Sequence, residues 1–172
     1  VSGGSCGNTM AGFASLGGRG AFIGKVRDDQ LGKVFRHDMQ SIGVEFATPA
    51  VREGPATGSC LVLITPDAQR TMCTNLGAAS HLTPADIGKE TIQSAKVVYM
   101  EGYLFDPPGA QAAFVEAADA AHDAGHKVSI TLSDPFCVDR HRDAAAGGMD
   151  DRGSRPAAAA DPRRRRIDAG GR

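Results

Sequence analysis

The chain holds only four cysteines, Cys6, Cys60, Cys73 and Cys137, and no two of them form a CxxC pair. That excludes a zinc ribbon, a thioredoxin-type redox centre and a small disulfide scaffold, and fits reduced thiols in a cytoplasmic protein. Long apolar runs are also missing: LVLI at 61–64 is among the longest, far too short to span a bilayer, and no basic segment followed by an apolar stretch opens the chain. The expectation is a soluble, unexported protein. Charge of one sign is missing too, since 19 Lys and Arg against 20 Asp and Glu leave a net −1. No whole-protein field therefore recruits nucleic acid or an anionic membrane, and any such patch must be local. Position 1 is Val rather than Met, which suggests a start at an alternative codon or inside a longer chain.

What is abundant is glycine, 22 residues of 172, crowded near the N-terminus where backbone can approach a ligand closely. With 41% hydrophobic and 23% charged residues the chain has enough apolar material for one α/β domain. Residues 143–172 differ: they contain eight Ala, seven Arg, five Gly, five Asp and two Pro, with only Met149, Ser154 and Ile167 besides. Such a tail has almost nothing to bury and is expected to be disordered, its basic character peaking at Arg163 to Arg166.

Within residues 1–142, Asn8 to Leu16 reads as a helix, Ala21 to Val26 as a strand and Asp28 to Ser41 as a helix. Val44 to Leu76 carries β-branched stretches broken by EGPATG and PDAQ, which predicts hairpins in a small separate sheet. Thr83, Pro84 and Asp86 spell a capped helix start with Leu82 and Ile87 as its hydrophobic staple. Val97 to Met100, an alanine-rich helix opened by Asp106 and Pro107 and closed by Gly125, and then Val128, Ile130 and Leu132 form a strand–helix–strand unit, so the sheet is at least partly parallel. Ligands sit beyond the carboxyl ends of such strands. That edge is Glu101 to Asp106 and Ser133 to Asp139.

The densest chemical signal is GGSCGN at 3–8, just before a helix. Its backbone amides and the helix N-terminus favour oxygen-rich groups, and Asn8 both donates and accepts, so ligand hydroxyls suit it; a plain capping turn is the alternative. Gly24 and Lys25 do not make a phosphate-binding loop, because Arg19 and Val26 break the pattern twice. Gly3, Ser5 and Gly7 match GxSxG, which would make Ser5 a hydrolase nucleophile with His81, His122, His126 or His141 as base, but the required strand has no room before Gly3. His122 and His126 stand one turn apart without a third metal ligand and read as helix-end residues. Glu101, Asp106 and Asp134 are acids at the ligand edge, with Asp106 placed to serve as an N-cap instead. Arg70, after the PDAQ turn, reads as solvated.

Taken together, GGSCGNTMAGFASLGG, AFIGKVRDDQLG, TGSCLVLITPDAQRTMCTNLGAA, VVYMEGYLFD and SDPFCVDRHR resemble the PfkB-type, ribokinase-like carbohydrate and nucleoside kinases, most of all their adenosine kinase-like branch. The resemblance covers residues 2–142 in order. It implies a three-layer α/β/α sandwich with a mostly parallel sheet and a small β lid, the lid falling at about 44–76. It implies phosphoryl transfer from ATP, with Mg2+, to an alcohol group of a sugar or nucleoside. By the same resemblance Gly4, Ser5 and Asn8 contact substrate hydroxyls, Glu101 and Tyr103 line the acceptor pocket, and Asp134 lies toward the nucleotide phosphates.

The departures are as informative. Cys6 stands where a smaller residue is usual and Arg27 where Gly or Ala precedes the paired acids Asp28 and Asp29. The 172 residues contain neither the NxxE segment linked to magnesium nor GAGD, which carries the family's catalytic base and its hole of backbone amides, nor the initial strand with a substrate-binding Asp. No catalytic residue or metal ligand is therefore assigned here. Since phosphoryl transfer depends on those parts, the chain alone is expected to be inactive. The GC-rich codons of the tail suggest an out-of-frame reading, a natural truncation being the rival. An uncovered sheet edge predicts self-association. The alternative function is a non-catalytic sugar- or nucleoside-binding protein, or RNA or acidic-partner binding through Arg163 to Arg166.

Overall fold

A computed structural model of the protein describes residues 1–141; the expectations for the tail, including Arg163 to Arg166, lie outside the described residues. Helix α1 (Ser5–Ser15) and helix α2 (Gln30–Ser41) pack over two extended segments, 21–27 and 44–51. The core between them is Val26, Met39, Val44 and Phe46, with Phe22, Phe35 and Phe46 meeting edge to face at 5.0–5.9 Å. Edge-to-face rings set positive ring edges against negative faces, so the trio fixes its own geometry as well as burying area. Arg36 crosses above Phe46 with its guanidinium carbon 4.3 Å from the ring centroid and donates to the backbone carbonyls of Phe46 and Thr48.

The expected strand at Ala21 to Val26 is only partly realised. Residues 21 and 27 make isolated parallel bridges to Glu45 and Val51, with Phe22 N–H donating to the Glu45 carbonyl at 2.7 Å and Val51 N–H to Val26 at 3.0 Å. The 44–51 stretch thus packs with the body, and within the 44–76 span where hairpins are expected a single one forms. That hairpin pairs β1 (Ser59–Ile64) antiparallel with β2 (Arg70–Asn75), Ser59 opposite Asn75 and Ile64 opposite Arg70. Every residue of both strands is exposed, Arg70 included.

The staple residues behave as the sequence implies, but the helix after Thr83 does not extend. Asp86 accepts from the Thr83 N–H and hydroxyl, both at 2.8 Å, closing a single 3-10 turn at Pro84–Asp86. Ile87 then leaves in an extended conformation and Gly88 caps the next helix, α3 (Lys89–Ser94). Lys25 reaches the same carboxylate at 2.7 Å and tethers the 21–27 segment to this turn. Burial works to raise the Asp86 carboxyl, and the hydrogen bonds from Lys25 and Thr83 outweigh it, leaving it below the ordinary value.

Strands β3 (Val97–Glu101) and β4 (Lys127–Thr131) pair in parallel, Val97 opposite Lys127 and Glu101 opposite Thr131, joined by α4 (Pro108–Asp123). Alanines at 110, 113, 117, 118 and 121 form the buried side of α4, and their small side chains let the helix lie close upon Val98, Met100 and Ile92. The chain turns at Ala124 and Gly125, the latter at φ 74°. Asp106 is not the N-cap of α4: Pro107 occupies that place, and the Asp106 carboxylate is taken by Arg140 at 2.9 and 3.0 Å and His141 at 2.6 Å. Among the described residues no helix is long and apolar enough to cross a membrane.

Candidate functional site

Three segments far apart in sequence converge at the carboxyl ends of β3 and β4. Gly4, at φ 91° and ψ 149°, turns the chain into α1 without a side-chain cap, a conformation that L residues other than glycine rarely hold. Ser5, the first residue of α1, donates its hydroxyl to Glu101 Oε2 at 2.6 Å. Ser133, two residues beyond β4, donates to Glu101 Oε1 at 2.8 Å. Glu101 itself is 6% exposed, and no ion pair is formed by it among the described residues. A buried carboxyl held by two hydroxyl donors rather than by a cation keeps lone pairs that ligand hydroxyls can address.

The backbone around this carboxyl is tightly constrained. Ser133 sits at φ 67°, in the left-handed region, and its N–H donates to Thr131 Oγ1 at 3.2 Å. A Cβ on Gly102 would stand 2.3 Å from the Thr131 carbonyl oxygen and 2.9 Å from Ser133 Oγ, so only glycine lets β3 leave the sheet this close to β4. The 3-10 turn Gly102–Phe105 follows, and Cys137 of α5 (Pro135–Arg140) donates its thiol to the Gly102 carbonyl at 3.2 Å.

Tyr103 lies beside Glu101, 42% exposed, and hydrogen-bonds to Asp134. Partial burial first, then that hydrogen bond and the Asp134 charge, push its phenol above 10.0. In a Tyr99→Phe background, absorbance titration of Tyr103 is expected to show ionisation above pH 10.0, and Asp134→Asn to move it back down. An unchanged titration would show that the two side chains do not interact. Asp134 also accepts from the Cys137 N–H at 2.7 Å as the N-cap of α5. The Cys6 thiol, next along α1 from Ser5, is pushed up to about 11 by burial and then by the Glu101 charge, so it stays protonated at neutral pH.

Of the residues singled out from sequence, Ser5, Glu101, Tyr103 and Asp134 thus stand together, with Gly4 capping the same corner. Asn8 is exposed three residues along α1, its N–H given to Gly4. The hydrolase reading of Ser5 fails, because Ser5 opens a helix and its hydroxyl goes to Glu101. His81, His126 and His141 meet Gly77, Gln93 and Asp106 instead. Ser133, Gly102 and Cys137 lie within the ligand edge that the sequence marks at Glu101 to Asp106 and Ser133 to Asp139, but no individual role for them is legible there.

The pfkB family carbohydrate kinase model matches residues 1–147. The chain belongs to the pfkB family. Within it, the crystal structure of adenosine kinase from Sinorhizobium meliloti is 48% identical, superposes with a TM-score of 0.82, and covers 87% of this chain and 46% of that one. The fold is accordingly ribokinase-like α/β. Fructokinase-2 of Solanum habrochaites is 30% identical over 74% of the chain and 39% of its own length, and adenosine kinase of Saccharomyces cerevisiae 30% over 85% and 43%. The chain therefore spans about two fifths of the length of these curated pfkB relatives. Among the described residues no group of three or more His, Cys, Asp or Glu is placed to hold a metal ion.

Proposed function

We propose that the Ser5–Glu101–Ser133 corner is the acceptor site of an ATP-dependent kinase that phosphorylates an alcohol group of a sugar or nucleoside, with adenosine the leading candidate. The observation that carries this reading is the buried Glu101 carboxyl bridging α1 to the end of the parallel strand pair, with a serine hydroxyl donating to each of its oxygens. In that site Glu101 accepts from substrate hydroxyls, Asn8 accepts from and donates to them, and the two fix which hydroxyl faces the phosphoryl donor, while the Tyr103 ring offers a partly exposed face to a flat base. The adenosine kinase relatives favour a nucleoside and the fructokinase a sugar.

A polypeptide of these 172 residues alone binds its acceptor without turning ATP over, because it contains no GAGD segment to supply base and anion hole. Calorimetric titration with adenosine and with fructose, alongside an ADP-release assay, tests both parts. Heat of binding with adenosine and no ADP is the expected result. Binding of neither acceptor overturns the site, and ADP release overturns the inactivity.

A further inference from the structure

The β1–β2 ribbon stands with both faces in solvent, so whatever fixes its angle must lie at its root. There, the Asp29 carboxyl does three things at once. Oδ1 accepts the Gly32 N–H at 2.8 Å, capping α2, and the Thr57 hydroxyl at 2.7 Å, while Oδ2 accepts the Thr57 N–H at 2.9 Å. The Thr57 hydroxyl in turn accepts the Arg27 N–H at 3.0 Å, and Arg27 donates to the Gly54 carbonyl at 2.8 Å. Thr57 is buried at 7% exposure, two residues before β1. The other strand is tied to the same point, since the Ala78 N–H donates to the Ala56 carbonyl at 2.8 Å.

We infer that Asp29 is a positioning residue that, through Thr57, latches the root of the ribbon to the body and so fixes the angle at which the ribbon stands. The latch does not depend on the acceptor-site reading, on which only the expected change in adenosine binding rests. Thr57→Val keeps the shape and the N–H but removes the hydroxyl that joins Asp29 to Arg27. Asp29→Asn keeps an oxygen for the α2 cap but turns a second donor toward the Thr57 N–H.

Pulsed dipolar spectroscopy measures the pivot directly, with nitroxides on Cys60 in β1 and on Lys33→Cys in α2, in a Cys73→Ser background. Cys6 and Cys137 react slowly, their thiols both being pushed up by burial. Wild type and Thr57→Ser are expected to give the same narrow distance distribution, and Thr57→Val and Asp29→Asn a broad one, with adenosine binding about tenfold weaker. If Thr57→Val does not fold, Asp29→Asn decides. Distributions coinciding with wild type in the folded variants overturn the latch. A wild-type chain that binds no adenosine fails the acceptor reading instead, and leaves the distances to judge the latch.

Discussion

Replacing Glu101 by Ala is expected to abolish acceptor binding and to destabilise the chain by about 2 kcal/mol, because two serine hydroxyls lose their partner and one of them is half-buried. Glu101→Gln separates the two effects. Its amide keeps one acceptor oxygen, and the serine facing the NH2 group turns over to accept, so the fold is retained. Among the described residues no cation pairs with Glu101, so removing its charge breaks no ion pair seen there. The ligand, however, meets a donor where it needs an acceptor, and affinity falls at least about tenfold. Urea midpoints and calorimetric titration of the two variants read this split. Equal losses of stability in both, or full binding by Glu101→Gln, would show that the carboxyl serves the fold and not the ligand.

Gly102→Ala is expected to cost about 1–3 kcal/mol and to weaken binding with it. The added methyl meets the Thr131 carbonyl at 2.3 Å, a backbone atom that cannot swing aside, so the ends of β3 and β4 must part. Parting them draws Ser133 away from Glu101. Gly12→Ala is the matched control: nothing lies within 4 Å of its added methyl in the middle of α1, and alanine there favours the helix. Its melting temperature should hold or rise. A Gly102→Ala variant that melts with wild type would mean the strand ends are looser than the geometry requires.

Helices α1 and α2 and the parallel β3–α4–β4 unit were legible because periodicity and the Gly125 stop are local signals. The site was legible in outline for a topological reason, since the carboxyl ends of parallel strands define one edge and Glu101 and Ser133 both lie on it. What sequence could not supply was set by tertiary competition. Asp106 had the pattern of an N-cap, yet Arg140 and His141 offered its carboxylate charged or polar partners and Pro107 took the cap. Val44 and Phe46 have a hairpin pattern because alternation does not say which sheet a strand joins, and packing with Phe22 and Phe35 draws them into the body. The Ser133 conformation at φ 67° is not marked in the sequence, since beside the local bond to Thr131 it is accompanied by one to Glu101 that spans 32 residues.

The most direct measurement is the amide NMR spectrum of the chain titrated with adenosine. If the corner is the acceptor site, the amides of Ser5, Asn8, Glu101, Gly102 and Ser133 shift together in saturable fashion, while those of Gly43 and Ile42 at the far end of α2 stay in place. Saturable shifts confined to other residues, or none at all, would contradict it.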